Sequence, residues 1–297
     1  MSAPTGGGPS DAAGEQAVRE ALEWGERLPG FVPAHALHAA ALARAFTDGL
    51  GGDERALRLS VLDLACVLWV DDRFDAAGEM DGEAEPWEAL VAALCGGPAV
   101  TPGAAGLARL SARFRAAAPG PDDHRWWTAT LADVLRASDR DRAVSRAGGT
   151  LSWGEYLRGG EHSIAVAHTV AALSLAHGLG LAAEAGEPRL RRALRWLCLS
   201  MRLRNDLASV ERERREGNRA NGVFVMERCM PPGEALAFVE AERRGYERML
   251  AEELAGFPPG HPFPVVARVM AEAVDRFYAA PTSRYGGAPA TAEATER

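Results

Sequence analysis

The sequence predicts an all-α fold built as a single domain, and three observations support this prediction. Alanine, leucine and arginine dominate the chain and β-branched residues are sparse, which favours helix over strand. Apolar residues recur at helical spacing, and no stretch alternates polar and apolar residues as a sheet would. No internal repeat or long linker divides the chain, so we expect one helical domain over 15–285 between disordered tails at 1–14 and 286–297.

Proline, glycine and acidic residues mark where the helices should begin and end. Pro102 and Pro188 fall at expected helix starts, Gly51 and Gly52 follow an expected helix end, and Asp53 can cap the next helix. We expect about ten helices, at 17–28, 34–50, 53–71, 86–94, 102–117, 124–147, 152–179, 188–216, 233–254 and 265–280.

Composition and charge exclude several classes of protein. The formal net charge of −8, with no lysine anywhere in the chain, argues against a nucleic-acid partner. We find neither the basic start and apolar run of a signal peptide nor the ~20 consecutive apolar residues of a membrane span. We therefore expect a soluble, cytoplasmic protein. Four widely spaced cysteines fit no metal-binding pattern and are expected to be buried, reduced thiols: Cys66, Cys95, Cys198 and Cys229.

A first acidic cluster follows the apolar third helix at 71–75, which reads Asp-Asp-Arg-Phe-Asp. On a helix, Asp71 and Asp75 share one face, where two carboxylates repel each other. A divalent cation would compensate this repulsion, and Mg²⁺ prefers oxygen ligands of this kind. The alternative is a helix end that emerges into solvent with hydrated carboxylates, and this motif alone does not decide between them. We interpret Asp63, farther up the helix, as a polar group at a helix contact.

A second cluster lies at 205–213, in a helix whose other residues mark it as packed in the core. Asn205, Ser209 and Glu213 are spaced so that they project from one face. Asparagine and serine are unfavourable inside helices, so their presence on one stripe indicates a purpose. Amide, hydroxyl and carboxylate oxygens suit a Mg²⁺ ion whose coordination is completed by water and phosphate. A solvated surface stripe is the alternative.

Together these two segments resemble the motifs of the class I terpene synthases. In that family a DDxxD motif and an NDxxSxxxE motif face each other across the mouth of an α-helical barrel. The segment 71–75 fits the first motif, and 205–213 fits the second in full. Arg284 and Tyr285 resemble the family's C-terminal Arg-Tyr pair, and the spacings between the three motifs are similar to those of bacterial members.

The resemblance implies a Mg²⁺-dependent enzyme that ionises a prenyl diphosphate and cyclises the resulting carbocation. Asp71 and Asp75 would bind two of three expected Mg²⁺ ions, and the second motif would bind the third. Asp72 is kept as a candidate ligand, although we expect it to orient an arginine instead. The candidate metal ligands are Asp71, Asp72, Asp75, Asn205, Ser209 and Glu213.

The diphosphate-binding residues that the resemblance implies are Arg212, Arg284 and Tyr285, and the sequence departs from the family pattern at one further position. Bacterial sesquiterpene synthases often carry Tyr-Leu-x-x-Arg, whose arginine contacts diphosphate, but here Gly160 takes the place of that arginine. Arg158 is a candidate replacement. The run Gly-Glu-His-Ser-Ile at 160–164 is similar to actinobacterial diterpene synthases, which favours a C20 substrate.

Other polar and aromatic residues carry weaker expectations. We expect His162 and His168 to be core or helix-break histidines, not catalytic bases. Aromatic rings could stabilise a carbocation, but core packing is the alternative for each of them. The aromatic candidates are Trp69, Phe74, Trp126, Trp127, Trp153, Phe224 and Phe277.

Several alternative functions share these features. A chain-elongating prenyl diphosphate synthase would need a second aspartate-rich motif and commonly uses lysines, which are absent here. A non-catalytic helical binding protein would lack Mg²⁺-dependent diphosphate release. Among substrates, geranylgeranyl diphosphate is favoured, with farnesyl diphosphate and a bicyclic diterpenyl diphosphate as alternatives. The resemblance allows a homodimer, but no interface pattern is visible in the sequence.

Overall fold

The computed structural model of the protein describes residues 9–75, 86–147, 151–217 and 220–279, and within these ranges it contains helices and turns but no strand. The predicted all-α fold is therefore confirmed. A short 3₁₀ helix, Leu181–Glu184, lies between α8 and α9. The α-helices in chain order are α1 (Asp11–Gly25), α2 (Pro33–Leu50), α3 (Glu54–Asp75), α4 (Trp87–Leu94), α5 (Pro102–Ala117), α6 (Pro121–Arg146), α7 (Trp153–Ser163), α8 (Val166–His177), α9 (Pro188–Glu216), α10 (Gly222–Met226), α11 (Pro232–Ala255) and α12 (Pro262–Ala279).

Local signals explain where these helices begin and end. The Asp53 carboxylate caps α3 by accepting a hydrogen bond from the N–H of Ala56 at 2.8 Å, as predicted. Pro102 and Pro188 are the first residues of α5 and α9, where a missing N–H costs nothing. Gly51 ends α2 with a φ of 66°, a left-handed conformation that glycine adopts easily.

The start of the chain differs from our expectation. Helix α1 begins at Asp11, so residues 11–14, which we assigned to the N-terminal tail, are helical. The reason is a cap: the Ser10 hydroxyl accepts a hydrogen bond from the N–H of Ala13 at 3.2 Å. The expectation for the cysteines is also partly wrong. Cys66 and Cys198 are buried, but Cys95 and Cys229 are exposed because both lie in turns that follow short helices.

The helix predicted over 152–179 is interrupted. Helix α7 ends at Ser163, Ala165 takes a φ of 59°, and α8 begins at Val166. A left-handed alanine costs roughly 1–2 kcal/mol, so tertiary packing must offset this cost. Helix α8 is buried on nearly every side, which sets its direction independently of α7. Helix α10 was not predicted because a helix of this length shows no apolar period.

Five helices close into a ring that forms the body of the fold. Helix α2 packs against α3, α3 against α8, α8 against α9, α9 against α12, and α12 against α2. Helix α1 packs against α2 and α3, and α11 runs along α9. A large apolar core fills this bundle, and a second, smaller cluster joins α7, α9, α10 and α11. None of the helices in the described ranges combines the length and apolar character that a membrane crossing requires.

Candidate active site

The end of α3 meets the start of α2. The Oδ2 atom of Asp72 lies 2.8 Å from Nε2 of His35, a buried residue in the first turn of α2. The Nδ1 atom of His35 accepts the N–H of Val32 at 3.1 Å. The ring proton therefore sits on Nε2, and the neutral imidazole donates it to Asp72. The side chain of Asp72 is 40% exposed, and Asp71 beside it is half-buried.

The end of α12 links this corner to α9. The ring of Phe277 lies edge-on to His38 in α2, with centroids 6.1 Å apart. The next residue, Tyr278, accepts a hydrogen bond through its hydroxyl oxygen from Nδ2 of Asn205 at 3.0 Å. Because His38 lies in the same helix start as the partner of Asp72, these contacts bring both sequence motifs to one end of the ring.

The stripe on α9 is more deeply buried than the acidic end of α3. Ser209 is fully buried, and its hydroxyl donates to the carbonyl of Asn205 at 2.8 Å. The lone pairs of the hydroxyl oxygen take no part in this hydrogen bond. The side chain of Glu213 is only 9% exposed. Its Oε2 atom accepts a hydrogen bond from Nδ2 of Asn221 at 3.1 Å, and its Oε1 atom lies 3.6 Å from Nη2 of Arg212.

A buried charged network lies directly behind this stripe. Asp206 is fully buried and accepts hydrogen bonds from the Tyr156 hydroxyl and, at 3.2 Å, from the N–H of Gly222. Its Oδ1 atom forms an ion pair with Nε of Arg202 at 3.3 Å. Burial, with a smaller contribution from the nearby Glu213, raises the pKa of Asp206 to about 7 against the opposing effect of Arg202. Burial also raises the pKa of the Tyr156 hydroxyl well above its usual range.

The oxygen atoms of the two motifs fit a hard divalent cation. Amide, hydroxyl and carboxylate oxygens converge on one face of α9, and carboxylates stand at the end of α3. In the described part of the chain, no three His, Cys, Asp or Glu side chains form a metal-binding group by themselves. A site here would thus depend on the amide of Asn205 and the hydroxyl of Ser209, and on oxygens that a ligand supplies.

Comparison with known proteins agrees with this geometry. Residues 64–248 match the family model described as terpene synthase family 2, C-terminal metal binding. The chain belongs to the terpene synthase family. It is therefore an enzyme of the lyase class, and the matched region contains both motifs.

Solved structures of other terpene synthases share the fold of this terpene synthase. Linalool/nerolidol synthase from Streptomyces clavuligerus, in complex with 2-fluorogeranyl diphosphate, is 20% identical, with a TM-score of 0.71 over 90% of this chain and 97% of that one. An α-eudesmol synthase is 16% identical, with a TM-score of 0.68 over 94% and 96%. Abietadiene synthase from Abies grandis is 16% identical, with a TM-score of 0.70 over 90% of this chain and 37% of that longer one.

The structure describes only some of the predicted diphosphate-binding residues of this terpene synthase. Arg212 is half-buried, and its Nη2 atom lies 3.6 Å from Oε1 of Glu213. Arg158 is exposed on α7, with its guanidinium near Gly154 of the previous turn. Arg284 and Tyr285 lie outside the described residues. Asp75 and Phe74 close α3, but their side chains are likewise outside the description.

The aromatic candidates mostly serve as packing residues. Trp69 is fully buried, donates from Nε1 to the carbonyl of Pro29 at 2.8 Å, and meets Trp24 edge-on. Trp153 packs between Tyr156 and a phenylalanine of α11. Trp126 packs against the main core, Trp127 stacks within it on a phenylalanine of α5, and Phe224 lies under Arg214. Of the group, Phe277 lies at the motif end of the ring.

The polar residues of the deeper core behave as predicted. Asp63 accepts a hydrogen bond from Nε1 of Trp127 at 2.7 Å and lies 3.0 Å from Nε2 of His168, so it joins α3, α6 and α8. His168 is fully buried and His162 is exposed in the last turn of α7, next to the break. Neither histidine lies among the motif side chains described above.

Sequence reasoning missed several residues of the site. His35, Tyr278 and Asn221 each hold a motif side chain, and each is far from its partner in the sequence or separated by a helix end. Among these supporting residues, only Asp206 could have been found from the sequence, because it lies inside the second motif.

Proposed function

We propose that the chain is a class I terpene synthase that ionises a linear prenyl diphosphate with Mg²⁺, cyclises the carbocation and releases diphosphate. The observation that carries the proposal is the meeting of both oxygen-rich motifs at one end of a closed ring of helices. The family match to a metal-binding terpene synthase domain supports it independently.

The side chains take roles that follow from their chemistry. Asp71 and Asp75 are the proposed ligands on α3, and Asn205, Ser209 and Glu213 are those on α9. When bound, three Mg²⁺ ions would act as Lewis acids that stabilise the departing diphosphate. Asp72, which accepts a hydrogen bond from a histidine, has a supporting place in this scheme.

Cationic and hydroxyl side chains would hold the diphosphate. Arg212 stands beside Glu213 and can reach a ligand bound there. Arg284 and Tyr285, which lie outside the described residues, are proposed to bind the diphosphate because they match the family's Arg-Tyr pair. Arg158, which is exposed, is a weaker member of this group. Closure would expel water and protect the carbocation from early capture.

We favour geranylgeranyl diphosphate as the substrate because of the run at 160–164. Farnesyl diphosphate is the second candidate, since the similar structures include synthases named for several terpenes. A bicyclic diterpenyl diphosphate is the third. We further propose a cytoplasmic enzyme whose domain spans 15–285, with a homodimer as the assembly to test first.

Incubation with substrates tests the proposal directly. Purified protein with Mg²⁺ is given geranyl, farnesyl and geranylgeranyl diphosphate separately, and hexane extracts are analysed by gas chromatography–mass spectrometry. We expect a cyclic hydrocarbon or alcohol from one substrate, and its loss in Asn205→Ala and with EDTA. A folded protein that converts none of the three would refute a linear substrate, and failure with a bicyclic diphosphate as well would refute the enzyme class proposed.

A further inference from the structure

The proposed function assigns no role to a buried polar cluster made of Tyr156, Arg202, Asp206 and Asn221. Three of its members are at most 2% exposed, and the side chain of Arg202 is 13% exposed. Burying charge at such depth is costly unless the groups are fixed against one another. The cluster therefore calls for an explanation beyond helix packing.

Asn221 is the member that touches the candidate metal-binding face. Its Nδ2 atom donates to Oε2 of Glu213 at 3.1 Å and to the carbonyl of Asp206 at 3.0 Å. Its Oδ1 atom accepts the N–H of Val223 at 2.9 Å, which caps α10. Because both N–H bonds and the carbonyl oxygen are engaged, the amide has a single orientation. One oxygen of Glu213 is thereby held, and the other is directed away from Asn221.

The rest of the cluster fixes the backbone on both sides of Asn221. The carboxylate of Asp206 accepts the N–H of Gly222 at 3.2 Å, and the guanidinium of Arg202 donates to the carbonyl of Ala220. Arg202 and Asp206 are joined by their ion pair, and both contact the Tyr156 hydroxyl. The segment that carries Asn221 is thus clamped to α9 by groups on α9 itself.

Gly160 makes room for this clamp. A Cβ atom at Gly160 would lie 2.9 Å from Cγ of Arg202, closer than real contacts allow. The same holds at Gly222, where a Cβ would lie 2.9 Å from Oδ2 of Asp206. Gly160 is the position at which the resemblance leads one to expect an arginine from α7. In this chain the space is filled by an arginine from α9 that is already paired.

We propose that Asn221, clamped by Arg202 and Asp206, is a positioning residue that presents Glu213 to the cation, and that Gly160 admits the arginine this requires. The inference rests on the proposed function, because it assumes that Glu213 binds Mg²⁺. Residues that orient a metal ligand typically contribute 10–100-fold to metal affinity. The cluster acts through Glu213 and does not itself touch the substrate.

The test uses Mg²⁺ and inorganic diphosphate, so it needs no turnover. The melting temperature of the full chain is followed while Mg²⁺ is titrated at fixed inorganic diphosphate, and the Mg²⁺ concentration giving half of the stabilisation is recorded. We expect Asn221→Ala to raise this concentration by about 10-fold or more. Gly160→Ala, which displaces Arg202 without touching Asn221, should raise it by a smaller factor.

Thr101→Ala is the matched control, because it removes a helix cap, like Asn221→Ala, but at the start of α5, whose main packing partners are α3, α4, α6 and α8. It should lower the melting temperature without changing the Mg²⁺ requirement. If Asn221→Ala and Gly160→Ala also leave the Mg²⁺ requirement unchanged, the cluster is only structural and the inference is wrong. If the wild-type chain shows no Mg²⁺-dependent stabilisation, the proposed metal site itself fails, which is a distinguishable result.

Discussion

The two motif-bearing helix ends of this terpene synthase are built differently. At the end of α3, Asp72 is 40% exposed and its described partner is the neutral imidazole of His35. On α9, Glu213 is 9% exposed and is backed by a buried network that fixes its Asn221 partner. The α9 side is therefore set in place before any ligand arrives. The α3 side is the more exposed of the two.

This difference predicts that single substitutions on the two sides have unequal cost. Glu213→Gln removes a charge from a rigid site, so we expect kcat/KM to fall by about 10²–10³-fold, the loss typical of a fixed electrostatic contact. Asp72→Asn keeps a hydrogen-bond acceptor for His35 and should cost markedly less. Steady-state kinetics with the accepted prenyl diphosphate at saturating Mg²⁺ measures both. Equal losses would contradict the comparison.

The same comparison can be sharpened through His35. His35→Ala removes the described partner of Asp72, and we expect the Mg²⁺ concentration for half-maximal rate to rise about 10-fold, as for other groups that orient a metal-site carboxylate. His35→Gln can place an N–H near the position of Nε2 and should restore most of the affinity. The measurement is the rate as a function of Mg²⁺ for both variants. If glutamine is as poor as alanine, the imidazole supports the helix start and not Asp72.

The sequence predicted the helices and the motif stripes well because both depend on local spacing. The period of apolar residues fixes which face of α9 is buried, and so places Asn205, Ser209 and Glu213 on one stripe. The supporting residues could not be found in this way. His35 and Asp72 are 37 positions apart, and Tyr278 and Asn205 are 73 apart, so only the packing of whole helices brings them together.

The break between α7 and α8 was missed for a related reason. Nothing at Ala165 signals a helix end, since alanine is the strongest helix former. The break follows from the burial of α8 around its whole surface, a property of the assembled ring. Gly160 was noticed as a departure from the family pattern. Its cause, the side chain of Arg202, became visible only when α7 and α9 were packed together.

The smallest expected effect is one on protein stability, and it concerns the end of the ring opposite the two motifs. His177 is the last residue of α8, and its ring packs against the turn between α2 and α3. A Cβ atom at Gly52 in that turn would lie 2.3 Å from the ring of His177. Burial lowers the pKa of His177, with Asp53 opposing the shift. Its Nε2 atom is buried, and no hydrogen-bond partner for it is found within the described ranges.

This lowered pKa fixes the sign of a pH effect on stability. Below pH ~6.5 the unfolded chain binds a proton at His177 more readily than the folded chain does, so stability falls as the pH drops. The free energy of unfolding changes through His177 by at most about 1.4 kcal/mol per pH unit. His177→Gln removes it, so urea unfolding from pH 8 to pH 5 should give a flatter acid limb than the wild type. If the dependence of stability on pH for His177→Gln is instead parallel to that of the wild type, the neutral form of His177 does not stabilise this end of the ring. The Mg²⁺ requirement should be unaffected in either case.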